Sequence, residues 1–276
     1  MKSIQIKVVA FLALALTLLS FTATEKITIK GSDTMVILAQ KWAEVYMTKN
    51  PATAIQVTGG GSGVGLSALI NGSTDIATSS RPLKQSELEK IKARYGTLGI
   101  EIACAKDGIT IYFNKANPVN ELSLKQLSDI YSGKITNWKE VGGNDANIRL
   151  YGRENSSGTY VYFKDNVVKK DYAMTCQSLP GTAAIVNAVK KDKNGIGYGG
   201  AAFDTGVKDC KVKKDDKSPA LVANEETIRN KTYPITRYLY MYLASRPTGE
   251  TKKFIDWMLS AEGQKITSQV GYFPIK

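Results

Sequence analysis

From residue 25 onward the chain alternates short β-branched or apolar runs with longer amphipathic stretches, the order expected of strands and helices in an α/β fold. Strands are predicted at 26–30, 54–58 and 75–78, followed in turn by helices at 36–48, 64–71 and 86–94. Residues 109–113 (ITIYF) are apolar at nearly every position, as in a strand covered on both faces. Beyond them the pattern predicts a helix at 123–131 capped by Ser123, a strand at 147–151, and helices at 159–168 and 182–191. A glycine-rich strand at 195–198, a strand at 238–243 and a helix at 249–260 complete the set. The lysine- and aspartate-rich stretch 207–218 reads as a surface loop, and no internal repeat is visible.

The first two dozen residues have another character. Lys2 and Lys7 precede the apolar run Val8–Leu19, which is too short to span about 30 Å of hydrocarbon comfortably. That is the layout of a secretory signal over residues 1–24, with an uncleaved anchor as the alternative. No cysteine follows the run to accept a lipid, and no second long apolar stretch exists, so the expected destination is the periplasm, as a soluble protein.

The 276 residues suffice for two compact domains with separate cores, and 43% hydrophobic with 22% charged residues is ordinary globular composition. The formal charge is +12; without Lys2 and Lys7 the remainder holds 35 basic and 25 acidic residues, a balance of +10. Such a surplus concentrates anions near the surface. The lysines are scattered among acidic neighbours, as in 84–92 and 211–217, so they predict a solvated surface, and nucleic acid is not an expected partner. The chain contains no histidine, which removes Ser-His-Asp and Cys-His catalysis and most metal sites. Cys104, Cys176 and Cys210 match no zinc spacing. In an oxidising compartment Cys176 and Cys210 are the candidate disulfide, three buried thiols being the alternative. No catalytic residue, metal or cofactor is expected.

The informative residues lie between the predicted strands and helices. Gly31–Thr34 (GSDT), Gly59–Gly63 (GGGSG), Ser79–Arg81 (SSR) and Gly152–Thr159 (GRENSSGT) each bring small residues or hydroxyls to a predicted helix start. The first turn of a helix leaves N–H groups unpaired and carries partial positive charge, which favours an anion. Ser and Thr hydroxyls add rotatable donors, and Arg81 and Arg153 offer planar charged forks suited to tetrahedral oxyanions. Each piece alone is an ordinary cap or tight turn. Neither glycine-rich segment is a P-loop, since no Gly-Lys-Ser/Thr follows, and Gly61, Gly63 and Gly65 miss the dinucleotide-binding spacing. Together, with no histidine, they describe a site that holds an anion without reacting with it.

These residues resemble those of the periplasmic phosphate-binding proteins of ABC transporters, within the wider family of two-lobed solute-binding proteins. The resemblance runs from about Lys26 to the C-terminus. It rests on the GSDT, GGSG, Ser79–Pro82 (SSRP), Asp107-Gly108, Ile130–Trp138, Arg153–Thr159, Tyr233–Arg237 and Glu262–Gln264 segments in this order and spacing. It implies a type II two-lobed fold with the ligand in the cleft: lobe one from residues 25–105 plus 238–276, lobe two from 106–237. It further implies that Thr34, the Met35 N–H, Ser62, Ser80 and Arg81 serve the ligand from one lobe, and Arg153, Ser157, Gly158 and Thr159 from the other. Ser32, Asp107 and Asn155 are secondary candidates. The implied partners are inorganic phosphate and a membrane permease, with the protein a monomer.

One version of the family pattern has aspartates where Ser80 and Asn155 stand; the first accepts the proton of hydrogen phosphate, the second orients the arginine. Here both carboxylates are replaced, which weakens the basis for rejecting sulfate. Asp107 could take over one role or pair with an arginine such as Arg81; pairing is the favoured expectation. Sulfate or molybdate reception, a polyanion-binding surface and a phosphatase-like enzyme are the competing readings.

Overall fold

The computed structural model describes residues 25–275; the expected signal segment, 1–24, lies outside them. The chain opens with β1 (Glu25–Gly31), a one-turn 3-10 helix (Asp33–Met35) and α1 (Val36–Lys49), followed by β2 (Thr53–Thr58), α2 (Ser62–Ile70), β3 (Ile76–Ser79) and α3 (Gln85–Tyr95). β1 is flanked by β2 on one edge and β3 on the other, all parallel. The chain steps from β1 to β2 and then crosses back past β1 to β3, and the loops after β1, β2 and β3 gather at the carboxyl edge, where open α/β sheets bind ligands.

β4 (Ile100–Phe113) follows, a strand of 14 residues that serves two cores. Its first part, Ile100–Gly108, pairs antiparallel with β10 (Thr236–Leu243), and its second part, Ile109–Phe113, pairs with β8 (Gly195–Gly200). β10 in turn pairs antiparallel with β3, so the centre of the sheet departs from the parallel pattern. The second half of β4 is buried at every residue, in keeping with its apolar sequence. β9 (Lys208–Lys213) pairs with the other edge of β4 and with β5 (Glu121–Ser123). β6 (Arg149–Arg153) lies parallel to β8 and to β7 (Gln177–Leu179).

Apolar side chains divide between two main cores. Ile27, Ile29, Leu38, Trp42, Leu239 and Met241 form one, completed by Phe254 and Met258 of α8 (Gly249–Leu259) and Ile266 of α9 (Ala261–Gln269). The Trp42 Nε1–H donates to the Gly263 carbonyl at 2.8 Å, tying the first helix to the last. Ile109, Ile111 and Phe113 join the other core, with Leu127 and Ile130 of α4 (Leu124–Tyr131), Trp138 and Tyr198. Ser123 caps α4 as predicted, accepting from the Gln126 N–H at 3.2 Å. The remaining helices are α5 (Gly158–Phe163), α6 (Gly181–Lys191) and α7 (Glu225–Arg229).

Four expectations need correction. The stretch 207–218 is not all loop, because Lys208–Lys213 forms β9 with Cys210 and Val212 turned inward. The helix expected at 159–168 is α-helical only to Phe163; Lys164–Val168 continues as a π turn. Ser79–Arg81 is no helix start, since α3 begins at Gln85. Cys176 and Cys210 are not bridged, and all three cysteines are free thiols. Cys210 lies on β9 and Cys176 just before β7, and the order β9-β4-β8-β6-β7 puts four strand intervals of about 4.8 Å between them. A disulfide tolerates a Cα separation of at most about 7 Å.

Candidate anion-binding site

The loops that follow β1, β2 and β3 converge with the one that follows β6. Thr34 sits in the 3-10 turn after β1, Ser62 at the first position of α2, and Ser80 just past β3. From the other side, the segment after β6 delivers Ser157 as the N-cap of α5, with Gly158 and Thr159 in its first turn. All six are buried.

The two sides touch. Thr34 Oγ1 and Thr159 Oγ1, 125 residues apart, lie 2.9 Å from each other. Ser62 and Ser80 pair at 3.3 Å between hydroxyl oxygens, and the Ser80 N–H donates to Ser62 Oγ at 3.0 Å. Gly158 faces that pair so closely that a methyl group on its α-carbon would stand 2.3 Å from Ser62 Oγ and 2.6 Å from Ser80 Oγ. Glycine is required there by close approach. Ser157 Oγ accepts from the Tyr160 N–H at 3.2 Å, which caps α5 and leaves the N–H groups of Gly158 and Thr159 in a first turn without intrahelical acceptors. The result is a small, buried cluster of donors without a carboxylate among its hydroxyls.

A second contact closes the rim beside it. The Gly63 N–H donates to the Ser156 carbonyl at 2.9 Å, and Ser156 Oγ donates to the Gly60 carbonyl at 3.2 Å. Gly61 takes φ +94° there, and any side chain on it would strike the Ser156 carbonyl.

The arginines take different places from those expected. Arg153 is buried and fully engaged: Nη2 donates to Asp33 Oδ2 at 2.8 Å across the lobes, Nε and Nη2 to Glu154 at 3.1 and 2.9 Å, and Nη1 to Thr182 Oγ1 at 3.0 Å. Burial opposes ionisation of Glu154, but the hydrogen bonds from Arg153 outweigh it and hold the carboxyl below its ordinary value. Asn155 is exposed and takes no part in orienting Arg153; Glu154 and Asp33 do so instead. Arg81 makes no hydrogen bond to the hydroxyl cluster; its fork is held by Glu87 at 2.8 and 2.7 Å.

Asp107 pairs with Arg237, not with Arg81. Arg237 Nε and Nη2 donate to Asp107 Oδ2 at 3.0 and 2.7 Å, and both residues are buried. Burial pushes the Asp107 carboxyl up, against the attraction of Arg237. The same Nη2 donates to Thr159 Oγ1 at 3.0 Å, and Nη1 to the Ser80 carbonyl at 3.1 Å. Arg237 and Asp33 are thus neighbours of the cluster that the sequence did not single out as site residues, although both lie inside the motifs that carry the resemblance. The Met35 N–H is committed to the Ser32 carbonyl at 2.9 Å, and the Ser32 N–H to the Thr78 carbonyl at 3.0 Å, so both residues shape the turn that presents Thr34.

The model of the PBP superfamily domain matches residues 20–262. The chain belongs to that superfamily. It is 32% identical to the phosphate-binding protein PstS of Pseudomonas aeruginosa over 263 residues, covering 89% of this chain and 81% of that one. With PstS of Staphylococcus epidermidis it shares 35% over 253 residues, covering 88% of this chain and 77% of the relative. Among solved structures, a phosphate ABC transporter substrate-binding protein from Clostridium perfringens with bound phosphate superposes with a TM-score of 0.83 at 34% identity, over 91% of this chain and 100% of that one. An ABC-type phosphate transport receptor from Vibrio cholerae gives 0.72 at 32%, over 90% and 99%. The fold is therefore the two-lobed one of solute-binding transport proteins, as the resemblance implied. Among the described residues no helix is long and apolar enough to cross a membrane.

Proposed function

We propose that this protein is an extracytoplasmic receptor that captures inorganic phosphate between its lobes and delivers it to the permease of an ABC transporter. The observation that carries this reading is the 2.9 Å contact of Thr34 and Thr159 within one buried cluster of Ser62, Ser80 and Gly158. A desolvated tetrahedral anion needs many converging donors, and each bond to a charged group contributes about 1.5–3 kcal/mol. We assign the lobes to residues 25–105 plus 238–276 and to 106–237. Donors come from Thr34, Ser62 and Ser80 on one side and from Ser157, Gly158 and Thr159 on the other, with Arg153 closing the rim.

Residues 1–24 are assigned as the export signal and the periplasm as the destination, with the protein acting as a monomer. The chain belongs to a superfamily of solute-binding proteins and has no histidine to serve as a general base, and on that support the site is assigned to binding and not to turnover. Intrinsic fluorescence of the mature protein titrated with phosphate, sulfate and molybdate at two pH values tests the reading. Saturable binding of phosphate is expected; a response to sulfate or molybdate alone would replace phosphate as the ligand. No hydrolysis of p-nitrophenyl phosphate is expected with or without divalent metals.

A further inference from the structure

Arg237 stands at the crossover of the two lobes and touches each rim of the hydroxyl cluster. Its Nη1 reaches the carbonyl of Ser80, and its Nη2 reaches the hydroxyl of Thr159. The guanidinium is fixed from behind by Asp107 on β4, and from the side by the Tyr162 ring, 5.6 Å from Cζ. Tyr162 is itself anchored, its hydroxyl donating to the Thr236 carbonyl at 2.7 Å.

The consequence concerns hydroxyl protons. A guanidinium only donates, so Thr159 Oγ1 must accept from Arg237 and aim its own proton elsewhere. Its available directions are Thr34 Oγ1, at 2.9 Å, and the space an anion would fill. Ser62 Oγ is constrained in the same sense, because it already accepts from the Ser80 N–H. We propose that Arg237, locked by Asp107, is a positioning residue that, by occupying the acceptor side of Thr159, directs one proton of the Thr159–Thr34 hydroxyl pair at the bound anion. A buried ion pair is seldom more stabilising than apolar residues of the same volume, so fold stability alone gives little reason for one at this point. This inference rests on the phosphate-receptor reading and adds an arginine outside the donor set.

The decisive comparison is the double variant Asp107→Asn with Arg237→Gln. It leaves no unpaired buried charge, and the shorter glutamine amide cannot reach both the side chain at position 107 and Thr159. Phosphate affinity, measured by calorimetry, should fall at least tenfold while the ligand-free melting temperature stays within a few degrees of wild type. Recovery of both stability and affinity, to within threefold, would reduce the pair to a structural one and overturn the proposal. A second measurement needs no variant fold. In the wild-type protein the 15N resonance of the Arg237 guanidinium should shift on saturation with phosphate while that of Arg81 stays in place; an unmoved Arg237 signal also overturns it. If the wild-type protein binds no phosphate at all, the receptor reading fails first; if it binds and the double variant binds equally well, only the role of Arg237 falls.

Discussion

A methyl group on Gly158 would press on two hydroxyl oxygens at 2.3 and 2.6 Å, distances no side-chain carbon tolerates, and any retreat of the Ser62 hydroxyl would give up its bond from the Ser80 N–H. Gly158→Ala should therefore push the two rims apart and lower phosphate affinity more than tenfold, with the secondary structure seen by circular dichroism unchanged. Thr159→Val keeps the shape and removes one hydroxyl. The loss of a hydrogen bond to a charged ligand, about 1.5–3 kcal/mol, corresponds to roughly tenfold to a hundredfold in dissociation constant. Calorimetric affinities within threefold of wild type for both variants would remove Thr159 and Gly158 from the site. The same scale of reasoning separates the arginines. Arg81 has its fork on Glu87, Arg153 has its donors spread over Asp33, Glu154 and Thr182, and Arg237 alone reaches a hydroxyl of the cluster.

Among the elements, those that place the site were legible because their turn chemistry is local. Ser, Thr and Gly before an apolar helix mark its start whatever lies around it, and the segments 31–34, 59–63 and 152–159 could be picked out on that ground, while Thr34, Ser62 and Gly158 as individual ligand residues came from the family resemblance. What escaped depended on distant partners. β9 carries Lys208, Asp209, Lys211 and Lys213 around an inward Cys210 and Val212, so its period of two is masked by charge. The first half of β4 is only partly buried and shows no continuous apolar run. Arg237 belongs to the site through the pairing of β10 with β4, which aligns it with Asp107. β9 also carries a testable cost. Burial, then the neighbouring Asp204 carboxylate, pushes the Asp209 carboxyl up to about 7 from an ordinary 3.8. The folded protein then holds a proton that the unfolded chain releases, so this contribution to stability is complete below about pH 4 and is lost as the pH rises through 7. Asp209→Asn should raise Tm by several degrees at pH 8 and by nothing near pH 4. Thermal melts across that range decide it: an equal gain at both ends would exclude the carboxyl as the source.

At the scale of the whole molecule, polar contacts join the rims of the cleft, while the buried side chains of the two main apolar cores form separate clusters with only Phe273, Ala202 and Phe203 packing across. The strongest candidate for a latch is Arg153 with Asp33. Asp33 accepts from Arg153 through one oxygen and from the Gly60 N–H at 2.8 Å through the other, so a single carboxylate joins the β1 turn, the glycine loop and the end of β6. Opening the cleft must separate Arg153 from Asp33 and, beside them, Ser156 from Gly60 and Gly63. A ligand that binds only the closed arrangement gains whatever free energy that latch contributes to closure. Arg153→Ala should lower phosphate affinity at least tenfold, and Asp33→Asn should lower it in the same direction, both mainly through faster release. If the two residues act as one latch, the losses will not add: the double variant should be weaker than either single one by less than their sum, with a coupling of at least about 1 kcal/mol. Independent sites add to within about 0.5 kcal/mol, so additivity in a calorimetric double-mutant cycle would show that Arg153 and Asp33 act separately. In that case closure would rest on the backbone contacts of Ser156 with the glycine loop, and Gly61→Ala, which strikes the Ser156 carbonyl, would become the variant with the largest effect on release.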